Sequence, residues 1–194
     1  QKVKNWRKKD YNIPNLFLDL GIHLFNLSFF IFNLYPKFIL TDMSKLKNNN
    51  LVDNARILLK YNNGIRGSYW FSKSSLGNRN NLKIEIFFEK CSIKWEHSNF
   101  EFITLNYPDG TVKIIDRSSD SLIQYQTRYN RYRMGHPSGF IEAFANMYED
   151  IAIDFASRNK NNKYVFYQDH GLKGVKFLDN CIKSFNKKKW ITNN

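Results

Sequence analysis

Asp19 and His23 stand four residues apart in the stretch Asn15-Leu-Phe-Leu-Asp19-Leu-Gly-Ile-His23-Leu-Phe-Asn26-Leu-Ser-Phe-Phe30. On a helix that spacing puts both side chains on one face, a turn apart. Histidine titrates near neutral pH and can exchange a proton with a substrate hydroxyl, while a neighbouring carboxylate orients it or holds a second hydroxyl. The plainer alternative is a helix start, with Asp19 in the first turn and His23 a hydrogen-bonded core residue. Both alternatives put a polar pair on the inward face of the helix, where a group without a partner is costly.

The elements that must position the pair follow from periodicity. Leu16, Leu20, Leu24 and Leu27, with Phe17 and Phe30, recur at helical spacing and predict one helix from Leu16 to Asn33. Strands are expected over 37–42, 55–61, 65–72, 82–87, 92–95, 100–105 and 111–115, several of them alternating apolar and charged residues. Asn62-Asn63-Gly64 and Tyr107-Pro-Asp-Gly110 supply the turns between neighbours. The segment 116–135 has no clear period and is expected to be loop. Phe140, Phe144, Met147, Tyr148 and Ile151 line one face of a helix over 139–155. A last helix begins near Asp169, taken as its N-cap, and runs from Leu172 to Phe185, with a short strand at Trp190-Ile191. The expected class is α+β: an open, mostly antiparallel sheet with helices packed on one face, in a single domain over 1–194.

Composition narrows the functional classes. The chain has 194 residues, 42% hydrophobic and 16% aromatic, enough for a substantial core. Cys91 and Cys181 lie far apart with no Cys-x-x-Cys spacing, which indicates neither a zinc site nor a disulfide framework and fits a reducing, cytoplasmic setting. No apolar run is long enough to span a membrane, and no leader peptide is expected. A net charge of +13 calls for an acidic partner such as nucleic acid. The lysines, however, are interspersed with asparagines (Lys45–Asn50, Asn159–Lys163, Asn186–Lys189), as on a solvated surface, which argues against a nucleic-acid stripe. The first residue is Gln1, so the sequence is expected to be a piece of a longer protein.

Six stretches occur in one order: Asn5-Trp-Arg7, Asp19-Leu-Gly-Ile-His23, Asn63-Gly-Ile-Arg-Gly67, Gly77-Asn-Arg-Asn80, Gly135-His-Pro-Ser-Gly-Phe-Ile-Glu-Ala-Phe144 and Asp169-His-Gly-Leu-Lys-Gly174. Together they resemble the C-terminal domain of the glucose–fructose oxidoreductase, inositol dehydrogenase and rhizopine-catabolism (Gfo/Idh/MocA) family, from about Asn5 to Ile191. The resemblance implies an NAD(P)-dependent oxidoreductase of a sugar, cyclitol or related polyol, whose N-terminal Rossmann domain is not in this chain. It implies His23 as general acid/base and Asp19 as substrate-hydroxyl ligand. It adds Trp6 and Arg7 near the sugar or nicotinamide end, and His136 as a substrate contact or a loop histidine bonding backbone. Subunits of the family commonly pack through the outer sheet face, so a homo-oligomer is expected.

The departures are informative. No Gly-x-Gly-x-x-Gly fingerprint follows a strand, and the family's Glu-Lys-Pro lysine is not present in this chain. NAD or NADP is therefore expected in the complete enzyme, with no tight binding by this piece alone. Pro14-Asn15 replaces a glycine pair, and Asn26 stands at a family aspartate. A second expectation follows from these losses: a non-catalytic domain that self-assembles through its sheet.

Overall fold

The computed structural model describes residues 8–47, 50–119, 127–133, 135–157 and 162–193. They form two compact units, Gln1–Leu76 with Phe166–Asn194, and Gly77–Val165. All strand pairings described are antiparallel. The expected α+β class is what the chain adopts, with the strands divided between two four-stranded sheets.

In the first unit a wide helical turn, Phe17–Gly21, continues into α1 (Ile22–Phe32). The turn is π-helical: the Ile22 N–H reaches back five residues to the Phe17 carbonyl. The helix ends at Asn33 in the left-handed region, φ 52°. Next come β1 (Phe38–Ser44), β2 (Asn54–Lys60) and β3 (Arg66–Ser72), joined between β2 and β3 by the Asn62–Gly64 turn. Asn63 and Gly64 there take φ 62° and 80°, as the Asn-Gly signal requires. The chain returns to this unit in α3 (Gln168–Lys187) and the short β8 (Ile191–Thr192), giving sheet order β3-β2-β1-β8.

Alternation along β2 buries Ala55, Ile57 and Leu59 and exposes Arg56 and Leu58. The buried face meets Phe17, Phe25, Phe177, Leu178 and Cys181 from the π turn, α1 and α3. Two glycines let these layers approach. A Cβ on Gly21 would stand 3.1 Å from the Phe71 ring, and one on Gly174 would stand 2.7 Å from the Ile22 side chain. Buried Ser184 on α3 accepts the Thr41 N–H at 3.1 Å and donates to the Lys189 carbonyl at 2.8 Å, which fixes α3 to β1. Burial pushes the Cys181 thiol up to about 12, so it packs as an apolar side chain. The N-cap of α3 is Tyr167, which offers no side-chain cap; Asp169 lies in the first turn instead, where a carboxylate still suits the helix dipole.

The second unit contains β4 (Lys83–Phe87), β5 (Ser92–Glu96), β6 (Phe102–Asn106) and β7 (Val112–Asp116) in sequential order. It also holds α2 (Phe140–Ala156), whose orientation overturns the expectation from its apolar stripe. Asp150 and Asp154 are buried, whereas Phe140, Ile141, Tyr148 and Phe155 are exposed. Specific polar contacts explain the choice. Arg128 donates two hydrogen bonds to Asp150, at 3.0 and 2.9 Å, and stacks 3.4 Å over the Tyr164 ring. The Arg131 Nε donates to Asn146 at 2.7 Å, and Glu142 accepts the Gly139 N–H at 2.5 Å. A bidentate arginine–carboxylate pair is directional, so it fixes which face of the helix turns inward. In the first unit α3 packs on the sheet.

Candidate active site

Asp19 sits within the π turn and His23 in the first turn of α1, on one continuous helix. The inward positions are Leu16, Phe17, Gly21 and Phe25, so the pair is not on the apolar face that the sequence suggested. His23 is exposed and Asp19 half-buried. Phe17 and Gly21 pack against Phe71, and Phe25 stacks on Phe177, and this packing turns the pair away from the core. The plainer alternative of a core histidine does not describe His23.

A third charged group joins this site. The Lys73 ammonium lies 2.6 Å from the Asp19 carboxylate, with the two side chains 40% and 24% exposed. Lys73 follows the end of β3, two residues beyond Phe71, and the close Gly21–Phe71 approach brings that strand end to the helix. A cleft of about 150 Å³ opens beside it, lined by Asp10, Asn15, Lys47, Val52, Asp53 and Lys73. Asp10 accepts the Asn15 N–H at 3.0 Å and the Val52 N–H at 2.7 Å. Asp53 accepts the Leu46 and Lys47 N–H groups at 2.8 and 3.0 Å and the Ser74 hydroxyl at 2.6 Å. Burial pushes the Asp53 carboxyl up, but those hydrogen bonds outweigh it and hold the group below the ordinary carboxylate value. Nothing in the local string Ser72-Lys73-Ser74 signals this arrangement; it arises from the packing of β3 against the helix.

The core histidine of this chain is His170. Its Nε2–H donates to Asn26 Oδ1 at 3.0 Å, and its Nδ1 accepts the Tyr35 hydroxyl at 2.7 Å. The Phe166 ring stacks on it at 4.1 Å, and Phe29 lies at 4.5 Å. Burial, with Lys173 nearby, lowers its proton affinity and keeps it neutral. His170 belongs to the motif Asp169–Gly174, yet its type and spacing alone did not separate it from a site residue.

His136 is exposed in the loop before α2, in the second unit, where its Nδ1–H donates to the Arg133 carbonyl at 3.2 Å. Its own carbonyl accepts a hydrogen bond from Arg117 at 3.3 Å. This is the backbone-bonded loop arrangement. Trp6 and Arg7 lie outside the described residues. Among the described residues no helix is long and apolar enough to cross a membrane.

The description "oxidoreductase family, C-terminal alpha/beta domain", of the Gfo/Idh/MocA group, matches residues 1–192. The chain belongs to this family. Among curated proteins it is 28% identical over 142 residues to an uncharacterized oxidoreductase, YfiI, of Bacillus subtilis, covering 70% of this chain and 36% of that protein. Among solved structures, an oxidoreductase from Sinorhizobium meliloti superposes with a TM-score of 0.79 at 24% identity, over 90% of this chain and 51% of that one. An inositol dehydrogenase homolog from Azotobacter vinelandii, complexed with NADH and myo-inositol, superposes with a TM-score of 0.76 at 23% identity, over 90% and 48%. These structural likenesses establish the Gfo/Idh/MocA fold. The chain spans about a third to a half of the length of these relatives.

Proposed function

We propose that residues 1–194 act as the substrate-binding and oligomerisation domain of an NAD(P)-dependent oxidoreductase of a sugar, cyclitol or related polyol. The observation that carries this reading is the placement of an exposed His23 one turn beyond a half-buried, ion-paired Asp19, within a family of oxidoreductases. Oxidation of a secondary alcohol releases a proton from oxygen as its carbon gives up hydride. His23 takes that proton, and Asp19 accepts a hydrogen bond from a substrate hydroxyl and orients the ring. Trp6, Arg7 and His136 are proposed as further substrate contacts on the family resemblance.

The described residues do not fit a dinucleotide. Its phosphates need a glycine-rich turn between a parallel strand and a helix, and every strand pairing here is antiparallel. The nicotinamide, as hydride acceptor, is assigned to another part of the complete protein, and the proposed setting is cytoplasmic.

The test is turnover by the complete protein, followed as reduced-nicotinamide absorbance with NAD and NADP on myo-inositol and a panel of sugars. Asp19→Asn and His23→Gln are expected to lower kcat by about 10²- to 10⁴-fold while the fold persists. Undiminished turnover in either variant would overturn the assigned roles.

A second reading is favoured by one observation: Leu58 and Trp70, on the uncovered face of the first sheet, are 48% and 57% exposed. In this reading the domain is non-catalytic and self-assembles through that face. Gel filtration of the chain separates the two proposals from a monomer, and the turnover assay separates them from each other.

A further inference from the structure

We infer that Lys73 is a further substrate-binding residue: its ammonium and the Asp19 carboxylate together seat two neighbouring hydroxyls of the polyol, so that a vicinal diol is what this pair recognises. This rests on the proposed role of Asp19 as a hydroxyl ligand, and adds a second ligand together with the substrate feature that the two read.

Lys73 extends from a fixed backbone. Its N–H donates to the Asp53 carbonyl at 2.7 Å, and its own carbonyl accepts the Lys47 ammonium at 2.9 Å. Asp53 is buried and is itself held by two backbone amides and the Ser74 hydroxyl. From that base the ammonium meets Asp19 at 2.6 Å, with both side chains open in part to solvent. Lys73 also lines the cleft of about 150 Å³, whose own carboxylates, Asp10 and Asp53, accept backbone amides and so serve the fold. The Asp19–Lys73 pair adds little to folding, because water screens an ion pair this open. What it offers is a donor and an acceptor held side by side at a cleft.

An ammonium has three N–H donors and no acceptor, and each oxygen of an ionised carboxylate accepts more than one hydrogen bond. Hydroxyls on adjacent carbons, in the gauche arrangement, hold their oxygens about one hydrogen-bond length apart, ~2.8 Å. That spacing matches the 2.6 Å between Lys73 Nζ and Asp19 Oδ2. One hydroxyl donates to Asp19 while its neighbour accepts from Lys73, and both bonds are of the stronger, charge-assisted kind. A lone hydroxyl fills one place and leaves the other charge facing water. A diaxial pair of hydroxyls is too widely spread to bridge the two. The cleft is smaller than a pocket that encloses a whole ligand, which takes about 300–1,000 Å³. It admits one edge of a six-membered polyol ring, the edge that carries the diol.

The experiment is an NMR titration of the isotope-labelled 194-residue chain with three probes: myo-inositol, the vicinal cis-diol of cyclohexane, and cyclohexanol. Myo-inositol and the diol are expected to shift the amides of Asp19 and Lys73, with dissociation constants about tenfold below that of cyclohexanol. Lys73→Met leaves the backbone N–H and carbonyl in place and should erase the preference for the diol. Lys73→Arg, which keeps a cationic donor, should restore it. Unchanged amide shifts along α3 certify the fold in each variant. Should Lys73→Met fail to fold, Lys73→Gln, which loses the charge, carries the same comparison. Cyclohexanol binding as tightly as the diol, an undiminished diol preference in Lys73→Met, or no shift with any probe overturns the inference. The titration involves no turnover, so it fails separately from the oxidoreductase reading, which stands or falls on kcat in Asp19→Asn and His23→Gln.

Discussion

His170 on α3 donates a hydrogen bond to Asn26 on α1, at 3.0 Å, and the two helices are joined at that point by a neutral pair. Asn26 stands where the family resemblance calls for aspartate, so the pairing joins an imidazole to an amide rather than to a carboxylate. Burial, then Lys173, lowers the affinity of His170 for protons.

The first prediction follows from that pair. The folded chain binds a proton at His170 less readily than the unfolded chain, whose histidine titrates near pH 6.5. The unfolded state therefore binds more protons in the window below 6.5. Stability from His170 is fully present above about pH 6.5 and is lost as pH falls through the lower folded value. Thermal unfolding between pH 7.5 and 5.5 should show a falling Tm, flattened in His170→Gln. Asn26→Asp should reverse the sign, because a carboxylate against Nε2 raises the folded value above the unfolded one. That variant then gains relative stability as pH falls.

Gly21 and Gly171 offer a paired test of packing against helix propensity. Alanine at Gly21 pushes a methyl group to 3.1 Å from Phe71, a buried ring held edge-on by Phe17 at 5.1 Å. Overpacking of that kind costs about 1–3 kcal/mol and should exceed the propensity gain. Alanine at Gly171, in the first turns of α3, meets nothing within 4 Å and should stabilise by about 0.5–1 kcal/mol. Urea midpoints of the two variants should shift in opposite directions.

Asp53 should be the acid-sensitive group of the cleft. Its folded carboxyl titrates below its ordinary 3.8 because three hydrogen bonds outweigh burial. The stability it provides is present above that ordinary value and lost as pH falls through the lower folded one. Asp53→Ala should cost about 1–3 kcal/mol at neutral pH, with buried donors left unpaired. Chemical denaturation at pH 7 and near pH 3 should show the gap between variant and parent closing on acidification.

Trp70→Glu combined with Leu58→Glu should leave the fold intact, since both side chains are exposed on the uncovered sheet face. Under the proposed sheet-mediated assembly, gel filtration should show the double variant as a monomer at concentrations where the parent associates. An unchanged elution volume would remove that face from the interface.

Elements and their types were largely legible in the sequence because their signals are local. Alternation in Asn54–Lys60 and the Asn63-Gly64 turn need only a few neighbouring residues to be read. Three features were not legible, and each depends on residues distant in sequence. The packing of Phe17, Gly21 and Phe25 against Phe71, Leu178 and Phe177 set the inward face and left Asp19 and His23 off it. The orientation of α2 was decided by Arg128 and Arg131 bonding Asp150 and Asn146, against its own apolar stripe. Lys73 reaches Asp19 across 54 positions, a meeting that only strand register and the Gly21–Phe71 approach create.

The first unit is built from two separated stretches of chain, and the hydrogen bond from Thr41 to Ser184 spans 143 residues. During synthesis, β1 and β2 emerge long before α3 and β8 exist to cover and pair with them. Their apolar face waits on the ribosome with the π turn and α1 of this unit against it. Folding of this unit is therefore expected to be completed after translation of α3 and β8, and the early hairpin is the segment most in need of chaperone protection.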